Sequence, residues 1–267
     1  MPRVFIPAIS GAQSTAIAEA FRKEGWTVDG MSRSDDAKAA SRASGADVMA
    51  ITLPQDHRPG AMPSFLAKWI DIAKTGRVNR IIVNVCTIPG PAEAHPFFAE
   101  LHAMRESVQN SGLSHVVIQP TVYLDNLTAP WLIGQVKAGT IAYPAAQDAR
   151  ISWMSHKTLA AWMVGVATGK ADGRVLSIGG PACLNGTELA EAIGAGMGRE
   201  ATYVPVAPDE FAAGINVAMG APAGDRLAAI YKRANSETDH LCVGVEEARR
   251  LGVTLESADA FAARVLR

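Results

Sequence analysis

Cysteine, surplus charge of either sign and long apolar runs are all scarce in this chain of 267 residues. The three cysteines, Cys86, Cys183 and Cys242, are odd in number, far apart and without a metal-ligand spacing, so they read as buried or free thiols of a reducing compartment. A net charge of −1 supplies no field for a nucleic acid or an anionic membrane, and neither is expected as a partner. No apolar run approaches the roughly 20 residues needed to span a bilayer. The opening MPRVFIPAIS lacks a basic region, a long apolar core and a small-residue cleavage site, so it reads as structure rather than signal. His57, His95, His115 and His240 show no mutual spacing of a metal site. With 48% hydrophobic and 19% charged residues, the chain is expected to be a globular, cytoplasmic protein.

Glycine is also missing where one motif needs it. The segment VFIPAISGAQSTAIAEAFRKEGWTVDGMSRS has the strand, turn, helix, strand layout of a dinucleotide-binding unit: a strand over 4–9, a turn over 10–14, a helix over 15–23 and a strand over 26–31. That fingerprint uses three glycines, for a tight turn, for close approach of a pyrophosphate and for helix packing. Here the three slots read Ala8, Gly11 and Ser14. The surviving glycine occupies the slot where a side chain most directly excludes a phosphate. Backbone N–H groups over Ser10, Gly11, Ala12, Gln13 and Ser14, with the helix dipole behind them, are suited to a diphosphate.

The end of the second strand carries no acidic residue for a ribose 2′-hydroxyl. It offers Ser32 and Arg33, a hydroxyl and a guanidinium suited to a 2′-phosphate, while Asp29 lies four residues too early. NADP(H) is therefore expected in preference to NAD.

One strand-helix pair is short of the usual count. After a helix over 35–44, the apolar stretch Asp47 to Leu53 is the only strand before the helix Ser64 to Lys74, the strand RIIVNVCT, the helix Phe97 to Asn110 and the strand HVVIQPTV. Being apolar on both faces, 47–53 fits the central neighbour of the first strand, so the outer strand is the one expected to be missing. Thr52, Leu53 and Pro54 then fall at the carboxyl edge, near the adenosine half of the cofactor. The alternation predicts an α/β fold, a doubly wound, mostly parallel Rossmann-type sheet lacking one outer strand-helix unit. Residues 1–125 are expected to form its core, with sheet strands continuing into 174–206. Residues 126–173 and 207–267 are expected to form a smaller, mostly helical substrate-binding part. Asn185, with Glu188 three residues on, predicts a helix N-cap.

Several later segments resemble the NmrA-like family of atypical short-chain dehydrogenases/reductases. HVVIQPTVYLDNL is similar to its TxLRPxxFxxN stretch, MSRSDDAKA to its VRNPxKA, and GRVLSIGGPACLNGTELAEAIGAGMGREATYVPV to its GPExLTxxElA…Yvxv segment; EARRLGVTLESADAFAARV resembles its C-terminal helical signature. The resemblance implies a Rossmann domain, NADP(H), and either reduction of a small quinone, enone or carbonyl compound or cofactor sensing without catalysis. It assigns Ser10 to Ser14 to the phosphate loop and Arg33 to the 2′-phosphate. It assigns Cys86, Thr87, Pro120, Thr121 and Val122 to the nicotinamide end, with Tyr123 beside them and Asn126 bracing the loop.

No YxxxK pair exists, since Tyr123, Tyr143, Tyr203 and Tyr231 all lack a lysine four residues on. The resemblance implies a lysine on the helix before HVVIQP, and at that position this chain offers His102, one turn from Glu106; Tyr123 is a second candidate for acid/base or substrate contacts, with His156 behind them. Their bland alternatives are a surface helical histidine, an aromatic wall and a packed histidine. A cofactor-independent isomerisation, cyclisation or elimination on the same fold is the third functional reading. A small-molecule substrate is expected, and assembly with copies of itself is left open.

Overall fold

A computed structural model describes residues 1–32 and 38–267. The chain runs β1 (Arg3–Pro7), α1 (Ala12–Lys23), β2 (Thr27–Met31), α2 (Ala39–Ala43), β3 (Val48–Thr52), α3 (Ala61–Thr75), β4 (Arg80–Asn84), α4 (Pro96–Gln109) and β5 (Ser114–Pro120). It continues through α5 (Ile133–Lys137), β6 (Thr140–Tyr143), α6 (His156–Thr168), β7 (Arg174–Ile178), α7 (Gly186–Met197) and β8 (Thr202–Pro205). Then follow α8 (Pro208–Met219), α9 (Ala223–Ser236), α10 (Glu246–Arg250) and α11 (Ala258–Val265). Two compact units emerge, one of residues 1–120, 156–178 and 246–254, the other of 121–155, 179–245 and 255–267.

The first unit holds a six-stranded parallel sheet in the order β2-β1-β3-β4-β5-β7. β3 pairs directly with β1, and β2 is an edge, so the strand-helix unit absent from the sequence is the outer one. Val48, Met49, Ala50 and Ile51 are all buried, as a central parallel strand with helices on both faces requires. Pairing of Phe5 with Trp69 at 5.8 Å sets α3 on one face. On the other, Arg80 of β4 donates to the carbonyl of Val166 in α6, and α1 packs against α6. The chain reverses direction across the sheet between β2 and β3, which makes the carboxyl ends of β1 and β3 its topological switch point.

Several boundaries differ from those expected: residues 121–125 fall in the second unit and 246–254 in the first, and two further elements change place. α6 belongs to the sheet unit rather than to the smaller part, because it is apolar on nearly all sides and buries Leu159, Trp162, Met163 and Val166. Of residues 174–206 only β7 joins the large sheet, whereas β8 pairs with β6 in a separate parallel ribbon. β8 buries Tyr203 alone among its four residues, too little apolar surface for a sheet covered on both faces.

In the second unit, Asn185 caps α7 in a reciprocal capping box with Glu188. Gly179 and Gly180 admit the chain at 152–154: a Cβ on Gly180 would lie 1.8 Å from the Trp153 carbonyl oxygen. Tyr143, Tyr231 and Asn126 form a buried network, the two hydroxyls 2.7 Å apart and the Asn126 amide donating to Tyr143 at 3.1 Å. Burial pushes the Tyr143 hydroxyl up to about 12.

The expectation of three thiols is corrected here. Cys183 and Cys242 form a disulfide, with Cα atoms 5.4 Å apart. Ile151 bridges both Leu184 and Leu241, so the two cysteines, 59 residues apart in sequence, become neighbours. Spacing along the chain could not reveal that convergence. Cys86 remains a thiol. Among the described residues no helix is long and apolar enough to cross a membrane.

Candidate functional site

The turn after β1 is built by Ala8, whose φ of 49° puts a non-glycine residue in the left-handed region. The Gly11 N–H donates back to the Ala8 carbonyl at 3.0 Å, closing the turn, and Gly11 then caps α1. Gly11 itself has φ −71° and ψ 150°, a conformation open to any residue. A Cβ built there would meet nothing closer than the Ala8 carbonyl oxygen at 3.4 Å, an ordinary contact. The fold therefore has no need of glycine at 11 and a use for it at 8, the reverse of how the sequence distributes them. Gly11 and Ala12 are exposed, and among the described residues no side chain caps α1, which leaves its first-turn N–H groups without a side-chain partner. Ser14 is buried within the helix.

The loop is tied to the sheet by Gln13, whose side-chain carbonyl accepts from the Asn84 amide at 3.3 Å. Asn84, 1% exposed at the end of β4, also accepts from the Cys86 N–H at 3.1 Å. That contact holds Cys86 at φ 75°, a second left-handed non-glycine residue. Such conformations persist where surrounding contacts over-determine them. Thr87 follows, buried, with its Oγ1 unpartnered. Thr52 Oγ1 and Gln119 Nε2 are likewise buried without a hydrogen-bond partner among the described residues. Orphaned polar atoms are uncommon inside folded chains and call for an explanation.

Within the first unit the structure thus gathers Ala8 to Ser14, Ser32, Thr52 to Pro54, Cys86 with Thr87, and Pro120 along the carboxyl edge of five strands, β1 to β5. Arg33 lies outside the described residues. Thr121, Val122 and Tyr123 belong to the second unit. There Thr121 Oγ1 donates to the Ser152 carbonyl at 2.5 Å, the Val122 carbonyl accepts from Met154, and Tyr123 is 7% exposed. His102 does not stand open as a proton donor: its Nε2 is 2.9 Å from the Gly90 carbonyl, to which it donates. The half-buried imidazole anchors the loop that follows β4. His156 opens α6.

Sequence reasoning missed Asn84, whose amide in an otherwise apolar strand was a readable signal. It also missed a cleft of about 350 Å³ beyond β1 and β3, lined by Ala8, Pro54, Asp56, Arg58 and the α3 residues around Trp69.

Comparison with known proteins adds relatives to this geometry. No family model matches the chain. It is 27% identical over 165 residues to prestalk A differentiation protein A of Dictyostelium discoideum, covering 61% of this chain and 51% of that one. It is 25% identical over 141 residues to the NAD(P)H azoreductase of Xenophilus azovorans, covering 52% and 49%. The chain thus spans about half the length of these curated relatives. Among solved structures, a nucleoside-diphosphate-sugar epimerase from Staphylococcus aureus superposes with a TM-score of 0.76 at 17% identity, over 98% of this chain and all of that one. The NADPH-dependent quinone oxidoreductase of Escherichia coli, solved with NADPH, gives 0.74 at 17% identity, over 99% of this chain and all of that one. The solved structures share with this chain the Rossmann-type α/β fold, a mostly parallel sheet flanked by helices.

Proposed function

We propose that the protein is an NADP(H)-dependent oxidoreductase acting on a small quinone, enone or carbonyl compound. The observation that carries this reading is Gly11, a glycine the backbone does not require, at the one slot where a phosphate needs bare backbone. The names of the relatives, an azoreductase and a quinone oxidoreductase among them, support it.

In this reading the first-turn N–H groups of α1, from Ala12 to Ser14, hold the diphosphate, with Gln13 braced by Asn84. Ser32 and Arg33 take the 2′-phosphate. Cys86, Thr87 and Pro120 border the nicotinamide end, where the unpartnered Thr87 Oγ1 meets a polar group of the ligand. When bound, the cofactor supplies the hydride, and the protein supplies orientation. Tyr123, three residues past Pro120, is assigned to the substrate carbonyl. His102 acts as a positioning residue, because its Nε2 proton is committed to Gly90.

Titration calorimetry with NADPH, followed by assay against a panel of quinones and enones, tests the proposal. Binding in the micromolar range with turnover is expected. Tight binding without turnover would transfer the site to cofactor sensing, and no binding at millimolar NADPH would sink the reading.

A further inference from the structure

The cleft at the switch point has the chemistry of an aromatic heterocycle's seat. It lies beyond the carboxyl ends of β1 and β3, where Ala8 and Pro54 form one side. Helix α3 contributes Phe65 and Trp69, rings 6.1 Å apart, and Lys68 lies 5.6 Å over the Trp69 ring. Trp69 is 4% exposed, and its buried indole N–H has no hydrogen-bond partner among the described residues.

On the rim stands a guanidinium that is rigid and bare. Arg58 donates from Nε to Asp56 Oδ1 at 2.9 Å and from Nη2 to Oδ2 at 2.6 Å, a two-pronged pairing that fixes its plane. Asp56 also accepts from the Arg58 backbone N–H at 3.2 Å, locking the turn. The Arg58 side chain remains 80% exposed. An exposed ion pair two residues apart contributes little to folding, so stability does not account for so ordered an arrangement. A flat guanidinium held in place is instead a stacking surface for an aromatic ring.

The geometry points to Arg58 as an adenine-stacking residue at the mouth of this cleft, with Asp56 as its positioning partner. The inference rests on the dinucleotide reading above and deepens it. The outer strand-helix unit that this fold lacks removes part of the adenine wall, and the Pro54 to Arg58 loop supplies a substitute from the other side of the switch point.

Calorimetry with NADPH, NADH and 5′-AMP on the whole protein decides it. Arg58→Ala is expected to weaken all three by about tenfold alike, since all share the adenine, with an unchanged melting temperature. Arg58→Lys should not rescue, because an ammonium has the charge without the plane. Asp56→Ala should reproduce part of the loss. Rescue by lysine, or a loss confined to NADPH, would overturn stacking in favour of a simple phosphate contact. Unchanged binding in Arg58→Ala would overturn the assignment while leaving the oxidoreductase reading intact. If the wild-type protein binds neither NADPH nor 5′-AMP, both fall together.

Discussion

The Asn84 side-chain amide donates to the side-chain carbonyl of Gln13 across 3.3 Å, joining the end of β4 to the loop after β1. In a loop with one fingerprint glycine instead of three, this bond does part of what turn geometry does elsewhere. Asn84 also fixes Cys86, so one buried amide organises two strand ends. Replacing Asn84 by Ala should destabilise the fold by about 1–3 kcal/mol, because it leaves the half-buried Gln13 carbonyl and Cys86 N–H unsatisfied. Urea unfolding measures that loss, and NADPH calorimetry should show weakened binding beside it. An effect on stability with none on binding would confine Asn84 to the fold.

Gly11 and Ala8 form an opposed pair of tests. Gly11→Ala should fold as the wild type does, given the 3.4 Å clearance for its Cβ, yet bind NADPH about tenfold or more weakly. Ala8→Gly should raise stability by about 0.5–1 kcal/mol, since φ 49° burdens alanine and not glycine. Thermal melts and calorimetry on the two variants separate the roles. Were Gly11→Ala to unfold the protein, its glycine would be a matter of backbone after all.

The Tyr143 hydroxyl is raised from 10.0 to about 12, chiefly by burial, so folding favours its neutral form. Its contribution to stability is complete below about pH 10 and is lost as pH rises through about 12. Tyr231 is raised as well, by burial and by the charge of Tyr143 when that ionises. Chemical denaturation between pH 8 and 12 should show stability falling across the upper half of that range. Tyr143→Phe should flatten the fall and lower stability near neutral pH, as Asn126 and Tyr231 lose a partner. A pH profile identical in wild type and variant would refute the assignment.

The Cys183–Cys242 bridge closes a separation of 59 residues. Reduction should lower stability by about 2–4 kcal/mol in the chain-entropy account. Non-reducing peptide mass spectrometry should find the linked peptides, and the melting temperature should fall on adding a thiol reductant. Cys183→Ser should melt near the reduced wild type and be insensitive to the reductant. A wild-type melting temperature indifferent to reductant would count against the bridge as a stabilising element.

The alternation of strands and helices, the missing outer unit and the placement of 47–53 beside the first strand were all legible in the chain, because a parallel strand buried on both faces must read as a continuous apolar run. Gly11 was legible as the one fingerprint glycine that the turn before α1 retains. Tertiary structure alone decided that Ala8 takes a left-handed turn without glycine, and that His102 is spent on Gly90. It alone brought Asn84 to Gln13 and Cys183 to Cys242, and aligned Asp56, Arg58 and Trp69 around one cleft. Periodicity reports which face of an element is buried. It carries no record of which residues, distant along the chain, meet once those faces close.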